Sequence, residues 1–196
     1  MKKFRLSIND LIKFINAISL LGISAIVGIA FIYQFFYHEL PCPLCLLQRI
    51  GLLGIGFGFL LNIHFEIRPS HYSYSLLAAV FTSFASLRQI LLHIEPGDPG
   101  FGSTVFGLHM YTWTFVLCIL FIIYLTIMLS IPRQYHLKKD TSKISEAKNS
   151  RIRWISHAAF VFYLVIIAAN VVSTFTECGI YECPDNPENY ILFEKK

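Results

Sequence analysis

Five long apolar runs separated by polar connections organise this chain. They extend from about Phe14 to Tyr37, Cys45 to Ile63, Ser73 to Ile94, Val105 to Ile131 and Trp154 to Thr176. Each is long enough to cross a hydrocarbon core of ~30 Å, which takes ~20 residues at helical rise. None alternates with a period of two, as the short segments of a membrane barrel do, and a helix satisfies its own backbone groups in lipid. The pattern predicts an all-α integral membrane protein, a four-helix transmembrane bundle plus an additional fifth transmembrane helix. Gly28 and Ala30 form a small-x-small pair in the first run. That run continues through FIYQFFY, further than a secretory leader, so it is expected to be retained as a span.

Composition agrees with the pattern. Of 196 residues 55% are hydrophobic and 14% charged, and the mean hydropathy is +0.59, values that exclude an ordinary soluble surface. The charges are placed by side. Lys2, Lys3, Arg5 and Lys13 precede or open the first run, Arg68 lies in the second connection, and Arg133, Lys138, Lys139, Lys143, Lys148, Arg151 and Arg153 lie in or beside the fourth. The first and third connections carry no Lys or Arg. The positive-inside rule therefore predicts a cytoplasmic amino end and an outward carboxyl tail, against which only Lys195 and Lys196 stand. The net charge of +4 is then a topological bias that suits contact with anionic headgroups, and nucleic-acid binding has no support. The sequence divides into a four-span core (1–131), a basic connection (132–153), a fifth span (154–176) and an outward tail (177–196).

There are five cysteines. Cys42 and Cys45 form a Cys-x-x-Cys pair, Cys178 and Cys183 a second pair in TECGIYECPDN, and Cys118 lies alone in the fourth run, where a small packing role is expected. Both pairs fall on the outer side, where thiols are usually oxidised. A structural bridge from Cys42 to Cys45 would close too short a loop to constrain the unfolded chain much. A zinc site needs two more ligands, for which only His38 and His109 are at hand, and no His follows the pair as haem attachment requires.

A redox role accounts for more. At the amino terminus of the second span, Cys45 would gain thiolate stabilisation from the helix dipole and free N–H groups. Arg49, four residues on, shares its face and adds a permanent charge. A cation inside a span is costly and marks a functional site, with snorkelling to the interface as the alternative. The acceptor that fits thiols set against the bilayer is a lipid-soluble quinone.

At PCPLCLLQR the sequence resembles the DsbB family of bacterial inner-membrane disulfide-generating proteins, and PGDPGFGSTVFGLHMYTW is similar to a further stretch of that family. The resemblance covers roughly residues 11–131. It implies a quinone reductase of the inner membrane that reoxidises a soluble periplasmic thiol oxidase of the thioredoxin-fold DsbA type. It also implies that Cys42 and Cys45 are the quinone-proximal pair, with Cys45 the sulfur nearest the quinone and Arg49 the quinone-site arginine. The family's second pair sits between the third and fourth spans, and here that loop has no cysteine. Cys178 and Cys183, beyond the extra span, are expected either to take over exchange with the partner or to staple the tail.

Arg88, Gln89 and His93 near the outer end of the third span are candidate quinone contacts, with an interfacial anchor as the alternative. His109 and Trp113 open the fourth span as interfacial or binding residues. EPGDPGFG supplies tight turns and has neither the strand nor the Lys-Ser/Thr of a phosphate loop. Two other functions compete. An exporter of cytosolic reductant would need thiols reachable from inside, and only Cys118 offers itself. A non-enzymatic metal-delivery or assembly factor would clasp metal with the outer thiols, yet no Met-rich or His-rich tract is present. Ubiquinone and menaquinone are not distinguished.

Overall fold

The computed structural model describes residues 8–135, 150–180, 183–184, 187 and 189–193. Lys2, Lys3, Arg5, Lys138, Lys139, Lys143, Lys148, Lys195 and Lys196, on which much of the expected sidedness rests, lie outside the described residues. Among the described residues five helices are long and apolar enough to cross a membrane: α1 (Ile8–Phe36), α2 (Pro43–His64), α3 (Pro69–Leu92), α4 (Met110–Leu129) and α5 (Ser150–Cys178). The protein is an all-α membrane protein.

Local chemistry sets the helix boundaries. Pro43 and Pro69 occupy the first turns of α2 and α3, where a missing N–H costs nothing. α5 stops at Gly179, whose φ of +63° lets its N–H return to the Phe175 carbonyl at 2.8 Å in a left-handed C-cap. The fourth span begins five residues later than its apolar run. Thr104–Val105 and Leu108–His109 form an antiparallel hairpin, β1 and β2, around Phe106 and Gly107 at φ of +50° and +80°. Positive φ at both loop residues is what a two-residue hairpin turn needs. The Trp113 indole N–H holds the hairpin to α4 through the Val105 carbonyl at 2.8 Å.

Lipid offers no hydrophobic reward for helix association, so close approach and polar contacts hold the bundle. α2 packs on α3 through small residues. A Cβ on Gly54 would lie 3.0 Å from that of Ala78, and one on Gly58 would collide with Ser75 and the His71 carbonyl. α3 in turn packs on α4, and α1 on α2. α5 lies against α1 and α2, where the Tyr163 hydroxyl donates to the Leu53 carbonyl. At the end away from the thiols, the Asn16 amide donates to the Tyr72 hydroxyl at 2.9 Å and Asn62 Oδ1 meets His71 Nδ1 at 2.9 Å, tying α1, α2 and α3 together. Arg68, on that same end, forms an exposed pair with Glu66 at 3.7 Å, of a kind that adds little.

Candidate active site: a cysteine pair beside an apolar cleft

The α1–α2 connection holds Cys42 between Pro41 and Pro43 in extended geometry, φ −71° and ψ 164°. Cys42 is therefore the N-cap of α2, and its Sγ accepts the Cys45 N–H at 3.2 Å, serving one of the helix's free donors. Cys45 stands one turn in, and both sulfurs are free thiols. The side-chain hydrogen bond with Cys45, then burial, pushes the Cys42 thiol well above its ordinary range, against the opposing pull of the Cys45 N–H and Gln89. Of the two, Cys45 is the sulfur that reaches the cleft described below.

Gln89 of α3 is buried at the pair. Its Nε2 lies 3.3 Å from Cys42 Sγ and 3.5 Å from Cys45 Sγ. Its Oε1 accepts from Gln48 Nε2 at 2.7 Å, which fixes the amide with its N–H groups toward sulfur. This is a donor aimed at a developing thiolate. Replacing Gln89 by Leu removes both contacts at similar volume, and the expected result is a severalfold slower alkylation of Cys45 at neutral pH with an unchanged melting temperature in detergent. An unchanged alkylation rate would assign Gln89 to packing alone.

Arg49 is 7% exposed and does not snorkel. Its Nη1 donates to Gln34 Oε1 at 2.7 Å, its Nη2 to the Ala30 carbonyl at 3.2 Å, and its guanidinium lies 5.0 Å from the Phe31 ring centre. Gln34 is held in turn by the Ser173 and Tyr190 hydroxyls at 2.7 and 3.1 Å. Arg49 is therefore wired through α1 to α5 and the tail.

Cys45 and Arg49 open onto one cleft. Ile26, Val27 and Ala30 of α1, Leu52 of α2, and Met110, Tyr111 and Thr114 of α4 line it, with Phe101 and Gly102 over its mouth. Its volume is about 90 Å³, and it opens outward at its mouth. The roof is pinned by Glu39, whose carboxylate accepts the Ser103 N–H at 3.2 Å and also its hydroxyl. Beside the roof, the Gly100 N–H and then His93 hold the Asp98 carboxyl below its usual range.

Of the residues expected to contact a quinone, only Arg49 lines this cleft. Gln89 is at the sulfurs instead. Arg88, one residue earlier and therefore turned ~100° around the helix, is exposed on the outer face of α3 among Phe84, Leu87 and Leu91. His93 caps α3, pairs with Asp98 at 3.1 Å and stacks behind Tyr111 with ring centres 5.8 Å apart. His109 caps α4 and bonds the Gly102 carbonyl at 3.1 Å, and Cys118 is fully buried packing. Cys178 and Cys183 form a disulfide at the same end of the bundle, Cys178 buried and Cys183 partly so.

Sequence reasoning passed over Gln34, Gln48 and Glu177. Gln34 had a signal, as the lone polar residue in FIYQFFY; Gln48 and Glu177 looked like ordinary polar positions beside a stronger motif.

Residues 12–103 match the family model described as disulfide bond formation protein DsbB. A protein named disulfide bond formation protein B from Stutzerimonas stutzeri is 33% identical over 85 residues, 41% of this chain and 52% of that relative. Another of that name from Chromobacterium violaceum is 36% identical over 76 residues, 37% of this chain and 46% of the relative. The matched part of the chain thus spans about half the length of these curated relatives, and α4, α5 and the tail lie beyond the family match. No solved structure matches.

Proposed function

We propose that this chain, whose residues 12–103 match the DsbB family model, is a disulfide-generating membrane oxidoreductase of that family that passes electrons from a periplasmic dithiol protein of the DsbA type to a membrane quinone. The observation that carries the reading is the opening of Cys45 and Arg49 onto one largely apolar cleft between α1, α2 and α4. Its residues suit a quinone: aliphatic walls for the ring, and a fixed cation for an oxygen. A bound quinone supplies a two-electron, two-proton acceptor soluble in lipid.

The chain's own residues do the rest. The Pro41-Cys42-Pro43 turn fixes the sulfurs at the helix start, Gln89 orients both, and Cys45 is the sulfur that reacts. Closing the Cys42–Cys45 disulfide releases the electron pair and both thiol protons, so one partner dithiol is oxidised for each quinone reduced. The thiol-bearing end faces the periplasm in this reading, as the lysine and arginine distribution favours.

Cys178 and Cys183 are the proposed entry point, replacing the pair that the α3–α4 loop lacks. The partner's thiolate attacks the more accessible sulfur, Cys183, and the freed Cys178 thiolate passes the pair inward by exchange through mixed disulfides. A partner whose second cysteine is replaced by Ser should then be trapped on Cys183 as a covalent adduct resolved by gel, whereas Cys178→Ser, which leaves no disulfide to attack, should abolish the adduct and slow turnover at least tenfold. Normal turnover without an adduct would leave the tail bridge as a staple.

The reading is tested by photolabelling with an azidoquinone. Label is expected on cleft residues of α1, α2 and α4, displaced by excess quinone. Labelling concentrated on the Arg88 face of α3 would overturn this cleft as the site. The metal-clasp alternative has no group of three His, Cys, Asp or Glu side chains among the described residues to build on.

A further inference from the structure

Arg49 and Glu177 are the buried charged side chains among the described residues, at 7% and 1% exposure. They come from α2 and α5, lie within each other's electrostatic reach, and are not joined as a direct ion pair. Gln34 stands between their surroundings, accepting from Arg49 and donating to Ser173 and Tyr190. Among the described residues Oε2 of Glu177 has no hydrogen-bond partner, and neither do Asn170 Oδ1 and Thr174 Oγ1. Positions 170, 174 and 177 share one face of α5 over about 10 Å of rise, a file of polar groups at a depth where each would otherwise be paired. A second cavity, lined by Gln34, Ser173, Thr176 and Tyr190, adjoins it on the outer side.

Glu39 stands at the mouth of the cleft with its carboxylate held by Ser103, so the deeply buried charges to be balanced are those of Arg49 and Glu177. With a neutral molecule in the cleft, the buried site holds one cation and one carboxylate. An anion entering beside Arg49 would leave a net negative charge in hydrocarbon, which is costly. We propose that Glu177 is the exchangeable counter-ion of Arg49, taking up a proton from the outer water whenever an anion in the cleft claims the guanidinium and releasing it when the anion leaves. The inference rests on the cleft being the quinone site. The step forms one O–H bond on Glu177 at the expense of one proton in solution, and no electrons move. The other titratable group within reach of Glu177 is the Cys45 thiol of α2; Tyr190 of the tail acts on Arg49 and bonds Gln34 of α1, and Cys178 beside Glu177 is held in its disulfide.

The test uses the full chain carrying Cys45→Ser, which silences redox chemistry and the second ionisable neighbour. Binding of a hydroxynaphthoquinone that is anionic at neutral pH is followed by calorimetry in buffers of differing ionisation heat, across a pH series, with its neutral methyl ether as control. The expected result is uptake approaching about one proton per bound anion, none with the ether, and none when Glu177→Gln is added although the anion still binds. Glu177→Asp should restore part of the uptake. Anion binding without uptake at any pH, or uptake unchanged by Glu177→Gln, would overturn the role of Glu177 and leave the cleft standing. Failure of both probes to bind a protein of normal melting temperature would remove the cleft reading, and this inference with it.

Discussion

Cys45→Ser is expected to lower quinone reduction by ~10³-fold or more while leaving the fold and the Cys178–Cys183 bridge intact. The loss is large because Cys45 alone of the two sulfurs reaches the cleft, and because two electrons can leave the pair only as a disulfide closes. Cys42, capped against the helix start, is no substitute. The serine hydroxyl can still sit at the helix amino terminus, so melting in detergent should not change. A variant with normal quinone reduction would place the reactive sulfur elsewhere.

Arg49→Met should cost about 10²-fold in turnover, the usual loss when one fixed donor is removed from where charge develops. Arg49 is the one cation lining the cleft among the described residues, and its guanidinium is held by Gln34, Ala30 and Phe31 rather than drawn toward water. Part of the loss should appear as a raised KM for quinone. Methionine fills the space but leaves Glu177, Gln34 Oε1 and the Ala30 carbonyl without the guanidinium, so the melting temperature should fall and turnover is compared at a temperature where the variant is folded. Lysine, a point charge without the fork that reaches both Gln34 and Ala30, should fall between the two. Turnover by Arg49→Met within twofold of wild type would reduce Arg49 to a structural strut.

The spans were legible because bilayer thickness imposes a length and lipid imposes an unbroken apolar run. The placement of the Cys-x-x-Cys pair and Arg49 was legible too: Pro beside Cys42 marks a helix start, and a cation in a span is costly enough to turn inward. Arg88 shows the limit. It and Gln89 are adjacent in sequence, yet one is exposed on the outer face of α3 and the other is buried against the sulfurs. Since lipid is as apolar as the protein interior, composition gives no phase for the helix. The start of α4 misled for another reason, because the VFGLH segment is apolar enough to continue a span while Phe106-Gly107 turns it into a hairpin. Gln34 and Glu177 acquire meaning only when α5 is laid against α1 and α2, a packing that no local pattern encodes.

The account's central claim is that this chain couples dithiol oxidation to quinone reduction through Cys45. The most direct measurement is a single anaerobic turnover, mixing the purified protein with a reduced thioredoxin-fold dithiol and one equivalent of quinone. Quinone absorbance and partner thiols are followed together. The account predicts one quinone lost for each partner disulfide formed, and neither change with Cys45→Ser. Partner oxidation without quinone loss, or quinone loss that survives Cys45→Ser, would contradict it.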